Sequence, residues 1–276
     1  MPELPEVETT RRLLEPELVG RWVTAVDVDH PRAIRYQPQP ADFAARLIGR
    51  RLGRVERHGK YLMTALGGDM TWVVHLGMSG RMAVRPIGEA RQIHCRAAVG
   101  LDSGREVRLI DPRTFGHTVV FLPDELAASS VTDLGPDAHL ELPRSRALSA
   151  ALHGRTAPIK ALLLDQRILA GVGNIYADEA LHRARLSPHR AGGSLDAEEV
   201  GRLRRAIKET LRAGIAAGGT SLEDMAYLLP DGRSGDYRMR LRAYGREGEP
   251  CLRCAATIRR DIIRGRSSFW CPDCQR

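Results

Sequence analysis

The sequence predicts an α+β chain: a β-sandwich behind one N-terminal helix, a helical second half, and a metal-pinned β-hairpin at the C-terminus. Three observations predict it. Short β-forming runs punctuated by Gly and Pro fill Trp22 to about Phe121, stripes of helical period appear later, and four of the five cysteines crowd into two CxxC pairs at the end.

The first segment, Pro5 to about Leu18, carries Val7, Leu14 and Leu18 at helical spacing. Glu6 and Glu8 lie in its first turn, Arg11 and Arg12 come later, and Pro5 suits the first helical turn. The runs Trp22 to Val28, Tyr61 to Leu66, Met70 to Leu76 and Val107 to Ile110 read as strands. From Pro123 to Ser149, prolines, serines and aspartates without sustained periodicity read as a connection. Helices are expected over Ile159 to Leu164, over Ile175 to Ala184, and along a stripe of Val200, Leu203, Ile207, Leu211 and Ile215, with Ser194 or Asp196 as cap. Gly218 to Gly248, rich in Gly, Ser, Asp and Pro, reads as a mobile loop.

The chain has 276 residues, 43% of them hydrophobic, enough for a sizeable core and for two domains. Its 42 Lys and Arg against 34 Asp and Glu leave +8, which suits a polyanionic partner, although a solvated basic face gives the same balance. No apolar run approaches a membrane span and no signal-peptide pattern opens the chain, so a soluble, unsecreted protein is expected.

Cys251, Cys254, Cys271 and Cys274 form C-x2-C-x16-C-x2-C, which lets two knuckles present four thiolates to one structural zinc ion. Arg259, Arg260, Arg264 and Arg266 lie between the knuckles, so the metal pins a hairpin with a basic tip suited to phosphate. Cys95, alone in a β run, reads as a small buried hydrophobe.

The opening MPELPEVETT has a chemical reading of its own. Once Met1 is removed, Pro2 carries a secondary amine, and Glu3 follows it at once. An α-amino group with a pKa near 8 is on the order of a tenth unprotonated at neutral pH. Condensed with a sugar aldehyde carbon, it gives a cationic iminium that acidifies the neighbouring carbon for elimination, with Glu3 placed to move protons. An exposed, functionless tail is the alternative reading of these residues.

This opening resembles that of the formamidopyrimidine-DNA glycosylases, the bacterial MutM family. The resemblance continues through HGKYL (His58 to Leu62), HLGMSGR (His75 to Arg81), DPRTFG (Asp111 to Gly116), GVGNIYADE (Gly171 to Glu179), GGTS (Gly218 to Ser221) and YGREGEPC (Tyr244 to Cys251) into the cysteine tail, in family order. It implies a β-sandwich catalytic domain over 1–123, a connection over 124–149, and a helix-two-turn-helix domain over 150–217. A lesion-covering loop region over 218–241 and a four-cysteine zinc finger over 242–276 complete it.

By the same resemblance, Pro2 attacks the deoxyribose C1′, Glu3 donates a proton as the base leaves, Lys60 contacts phosphate and serves β-elimination, and Arg266 serves δ-elimination. Arg264 is then supporting charge. His75, His94, Arg113, Arg155 and Asn174 match DNA-contacting positions, Asn174 where a turn opens a helix whose amides can bind phosphate. Met78, Arg113 and Phe115 match a trio that fills the void left by an extruded nucleotide, the arginine pairing with the orphaned cytosine. Thr114 and Thr156 depart from the family pattern, where basic residues are common.

The implied function is base-excision repair of double-stranded DNA containing oxidised purines (8-oxoguanine, formamidopyrimidines). It would be carried out by a glycosylase and abasic-site lyase with one zinc, no organic cofactor and no membrane partner. A monomer in the bacterial cytoplasm, on the nucleoid through DNA, is expected. Two other readings compete: an endonuclease VIII-like pyrimidine-lesion enzyme, which normally opens PEGPE rather than the PELPE found here, and a noncatalytic zinc-containing damage binder. The latter has little reason to keep Pro2, Glu3, Glu6, Lys60 and Arg266 together.

Overall fold

The computed structural model describes residues 1–221 and 227–276. Helix α1 (Leu4–Leu18) forms where its pattern predicts, with Pro5 in the first turn and Glu3 as N-cap. Its buried stripe of Leu4, Val7, Leu14 and Leu18 packs on β2 (Leu52–His58). Glu8 adds a polar latch: Arg57 on β2 reaches its carboxylate at 3.1 Å, with Arg11 and Arg12 alongside. Burial pushes the Glu8 carboxyl up, but these guanidiniums outweigh it and hold the pKa below the usual range.

The other strands of this unit are β1 (Val23–Val28), β3 (Tyr61–Leu66), β4 (Thr71–His75), β5 (Arg81–Pro86), β6 (Cys95–Leu101), β7 (Arg105–Ile110) and β8 (His117–Phe121). They form two four-stranded antiparallel sheets, ordered β1-β6-β7-β5 and β2-β3-β4-β8. Leu62, Trp72 and Val74 of one sheet share a core with Val84, Val99 and Leu109 of the other, joined by Phe43 and Leu47 from helix α2 (Pro40–Leu47). Cys95 packs in a smaller cluster with Ala83, Ala98 and Ile110.

The chain divides into two compact units, residues 1–133 with 217–236, and residues 134–216 with 237–276. Two short helices, α3 (Pro123–Ala127) and α4 (Ser145–Leu152), occur in the stretch read from sequence as a connection, the second running past its end at Ser149. Each is too short to show sustained periodicity. The second unit continues with α5 (Ile159–Leu164), α6 (Asn174–Ala184) and α7 (Ala197–Ala216). The expected stripe of α7, Val200 through Ile215, is buried. Asp196 caps it: Glu199 N donates to the Asp196 carboxylate at 2.8 Å and Glu199 accepts from Asp196 N at 3.0 Å. Ser194 instead donates to the Ala191 carbonyl.

The C-terminal hairpin joins β9 (Arg259–Ile263) to β10 (Arg266–Trp270) through Arg264 and Gly265, both at positive φ (45° and 75°), the geometry that matches strand twist in a two-residue turn. The stretch read as a mobile loop is partly ordered. Thr220, Ser221, Tyr227 and Leu229 are buried and Tyr237–Arg240 forms a 3-10 turn, while 222–226 lie outside the described residues.

Candidate active site

In the first unit the N-terminus is anchored. Pro2 is buried and Glu3 is 1% exposed. The Glu6 carboxylate bridges two segments: one oxygen accepts Glu3 N–H at 2.8 Å, the other Thr220 N–H at 2.6 Å. Tyr227 donates its hydroxyl to the Glu6 carbonyl at 2.9 Å. Gly219 explains the GGTS motif. Its φ is +84°, and a Cβ there would stand 2.8 Å from Glu6, so a side chain would meet both backbone strain and the carboxylate.

Lys60, 8% exposed, follows Gly59 (φ 56°) in the turn between β2 and β3. Arg57 braces that turn by donating to the Gly59 carbonyl at 2.9 Å. His75, at the end of β4, packs its ring against Tyr61 (4.6 Å between centroids) and His117 (5.4 Å). Burial, with His117, Lys60 and Arg35 nearby, pushes its pKa down to about 3, so the ring is neutral and accepts from Gly77 N–H at 3.2 Å. His94 is exposed, with φ at +69° and Nδ1 3.0 Å from Arg96.

The trio Met78, Arg113 and Phe115 sits on two loops packed backbone to backbone. A Cβ on Gly77 would stand 2.4 Å from the carbonyl carbon of Phe115, so only glycine allows this approach. Asp111, fully buried, organises the second loop by accepting from Ser79 Oγ (2.6 Å), Arg113 N (3.1 Å) and Gly116 N (2.6 Å). Arg35 holds the carbonyls of Thr114 and Phe115 from outside. These anchors leave Phe115 40% exposed, with the Arg113 guanidinium 5.0 Å from its ring centroid.

In the second unit, Asn174 opens α6 after Gly173. Gln166 clamps the preceding turn, accepting Gly171 N–H and donating to the Val172 carbonyl, both at 2.9 Å. Arg155 is exposed in the turn after α4, and Arg266 is exposed at the start of β10. Two acids of α6 fix the segments beyond it. Asp178 pairs with Lys160 of α5 at 2.8 Å, both side chains excluded from solvent. Lys160 donates to the Ser267 carbonyl at 2.6 Å and Asp178 accepts Phe269 N–H at 2.9 Å, so β10 is gripped at two points. Glu179 accepts the N–H groups of Arg242, Ala243 and Tyr244 at 2.9 to 3.0 Å.

Sequence reasoning missed Arg35, Gln166, Lys160 and Asp178 as organisers. One signal was available: Ile175, Asp178 and His182 share one helical face, which places charge on a buried stripe.

The four cysteines fit one zinc ion. Their sulfur atoms all lie within 4.8 Å of one another, and Cys254 and Cys271 are 3.5 Å apart. A tetrahedral thiolate site with bonds of about 2.3 Å needs sulfur separations of about 3.8 Å. His182 Nε2 lies 3.4 Å from Cys251 Sγ, tying α6 to the knuckle.

Three family models match the chain: the formamidopyrimidine-DNA glycosylase N-terminal domain over residues 1–118, the formamidopyrimidine-DNA glycosylase H2TH domain over 134–226, and a zinc finger found in FPG and IleRS over 248–276. The formamidopyrimidine-DNA glycosylase of Rhodococcus opacus is 42% identical, the alignment covering 100% of this chain and 97% of the relative. The solved structure of the Thermus thermophilus protein is 42% identical with a TM-score of 0.89, covering 99% of this chain and 98% of that one. That of the Lactococcus lactis enzyme in complex with abasic-site DNA is 30% identical with a TM-score of 0.90, covering 99% of each. An anchored N-terminus, paired loops, a thiolate cluster and similarity along the whole length agree, and the chain belongs to the formamidopyrimidine-DNA glycosylase family.

Proposed function

We propose that the chain performs base-excision repair, removing oxidised purines from duplex DNA and nicking the abasic strand through a covalent imine. Relatives supply the substrate class: solved Lactococcus lactis complexes contain Fapy-dG or abasic-site DNA. One observation carries the chemistry. Glu6 holds the Glu3 N–H at 2.8 Å and Thr220 N–H at 2.6 Å, so the end of this chain is fixed where termini are ordinarily loose.

Removal of Met1 frees the Pro2 nitrogen, which attacks C1′ as the base departs with a proton from Glu3. The sugar ring then opens as the C1′–O4′ bond breaks and O4′ takes up a proton, leaving an iminium that carries the positive charge; the adjacent C2′ proton is lost, and the 3′ phosphate leaves by β-elimination, with Lys60 steadying phosphate and serving this step. Arg266 serves the second, δ elimination. Arg113 pairs with the orphaned cytosine while Met78 and Phe115 take the place of the lost stacking. His75, His94, Arg155 and Asn174 contact the backbone. Residues 218–241 cover the extruded base; of these, 222–226 lie outside the described residues. The zinc, held by Cys251, Cys254, Cys271 and Cys274, is structural and fixes the hairpin that carries Arg266.

The chain works as a monomer on chromosomal DNA in a bacterial cytoplasm. Its bacterial relatives support this location, and among the described residues no helix is long and apolar enough to cross a membrane.

Borohydride trapping on a duplex carrying one 8-oxoguanine opposite cytosine tests the mechanism. A covalent adduct from the native protein, largely lost in Pro2→Gly, is expected, together with a native mass lacking Met1. An active protein that retains Met1 would sink the proline mechanism. Absence of adduct and nicking, here and on an oxidised-pyrimidine duplex, would favour a noncatalytic binder.

A further inference from the structure

The loop that carries Arg113 and Phe115 turns on a strained residue. Thr114, between them, stands at a φ of 55°, the one residue of 111–116 in the left-handed region. A β-branched side chain fits that backbone poorly, so the surroundings must hold it there. Asp111 is not the clamp. Its carboxylate takes the N–H groups of Arg113 (3.1 Å) and Gly116 (2.6 Å), one on each side of Thr114 and Phe115.

The carbonyl side of the loop is held by Arg35. Its Nη2 donates to three successive carbonyls, those of Thr114 at 3.1 Å, Phe115 at 3.0 Å and Gly116 at 3.4 Å. They meet one donor because the left-handed residue curls the chain around it. Arg35 follows the 3-10 turn Pro31–Ile34, and its Nε donates to the Arg32 carbonyl at 3.3 Å, which steadies the guanidinium. The Phe115 carbonyl is also the one against which Gly77 packs, with room for no Cβ (2.7 Å to its oxygen), so Arg35 bears on the approach of the loop that carries Met78.

We propose that Arg35 is a positioning residue for recognition of the orphaned base. By holding Thr114 left-handed, it keeps the Arg113 guanidinium, 5.0 Å from the Phe115 ring centroid, in the orientation that pairs with cytosine. Preference for cytosine opposite the extruded nucleotide then depends on a residue that does not touch the base. The inference rests on the reading of Arg113 given above. It differs from a phosphate contact by Arg35, which would strengthen binding to every duplex alike.

The test is binding of the full-length zinc-loaded protein to duplexes carrying tetrahydrofuran, a stable abasic analogue, opposite cytosine or thymine. No lesion base is present, so the ratio of the two dissociation constants reports on the orphaned base alone. Thymine matches cytosine in size but presents an N3–H where cytosine presents an acceptor. The native protein should prefer cytosine about tenfold, the worth of one bidentate base contact. Arg35 is exposed, so Arg35→Met should keep the fold while cutting the preference to about threefold or less. Arg35→Met/Thr114→Asn should restore part of it, because asparagine enters the left-handed region more readily. In the DNA-free protein, Arg35→Met should also move the carbonyl carbon shifts of residues 114–116. A native protein without preference overturns the Arg113 reading and this inference with it. Given a native preference, three results would each overturn this inference alone: Arg35→Met weakening both duplexes equally or neither, a double variant no more selective than the single, or unmoved carbonyl shifts.

Discussion

Replacing Lys160 with Met tests whether the α5–α6 ion pair sets the position of the zinc hairpin. Lys160 has no solvent exposure, and its ammonium lies 2.8 Å from Asp178 and 2.6 Å from the Ser267 carbonyl. Methionine fills the same volume without the charge. The Asp178 carboxylate is then left buried against Phe269 N–H without its cation, a situation that costs about 3–5 kcal/mol. Against a total stability of about 5–15 kcal/mol this is a third or more. The double variant Lys160→Met/Asp178→Asn keeps an acceptor for Phe269 N–H and carries no buried charge, so it should recover much of the loss. Urea unfolding of the zinc-saturated proteins reads both: with slopes of a few kcal/mol per M, the single variant should unfold about 1–2 M earlier, the double less so. Because Ser267 adjoins Arg266, the ratio of δ- to β-elimination product should also fall on denaturing gels. A single variant within about 0.3 M of the native midpoint, or a double variant no better than the single, would refute the reasoning.

Gly219→Ala should destabilise by roughly 1–3 kcal/mol and slow base excision, because φ of +84° and the Glu6 carboxylate both oppose a Cβ. Gly49→Ala has similar φ (+73°) with nothing within 4 Å, so equal effects on excision from the two variants would dismiss the Glu6 contact. His75 and His117, held down to about 3 and about 4, bind protons less readily folded than unfolded. Their contribution is therefore constant above about pH 6.5 and erodes below it, by up to about 1.4 kcal/mol per pH unit for each. Unfolding free energies at pH 7.5 and 5.0 should differ less in His117→Phe than in the native protein, and an identical loss would contradict this. Metal analysis should find one zinc per chain. A strong chelator should abolish nicking and release the hairpin, seen as lost amide protection at Phe269, whereas full activity without metal would deny the zinc its structural role.

The layer architecture was legible because β-forming runs bounded by Gly and Pro mark the sandwich strands, and because the α7 stripe repeats with the period of a helix. The thiolate cluster was legible because ligand spacing is a local property. What escaped was non-local or too short to repeat. Lys160 and Asp178 pair across a turn that no spacing rule links, and α3 and α4 are only five and eight residues long. Arg35 reads as one more surface arginine until β8 brings the carbonyls of Thr114 and Phe115 beneath it. The roles of Pro2, Glu3, Lys60 and Arg266 came from resemblance, since each residue alone has a commonplace reading as a tail or a surface charge.

A single device recurs at four of the segments that carry or adjoin candidate site residues. Glu6 grips the backbone of Glu3 and Thr220, Asp111 that of Arg113 and Gly116, Asp178 that of Phe269, and Glu179 that of residues 242–244. A protein that meets a polyanion must point cations outward on adjoining loops, and those cations repel one another. Hydrophobic packing could fix such loops only by burying their side chains, which would remove them from DNA. A buried carboxylate accepting backbone N–H groups fixes the main chain without using the side chain of the residue it holds. It also withdraws acid from the surface: among the described residues, buried Asp and Glu outnumber buried Lys and Arg. The exposed side chains therefore carry a larger excess of cations than the formal +8 implies, with the compensating acids held inside among the groups that fix the loops.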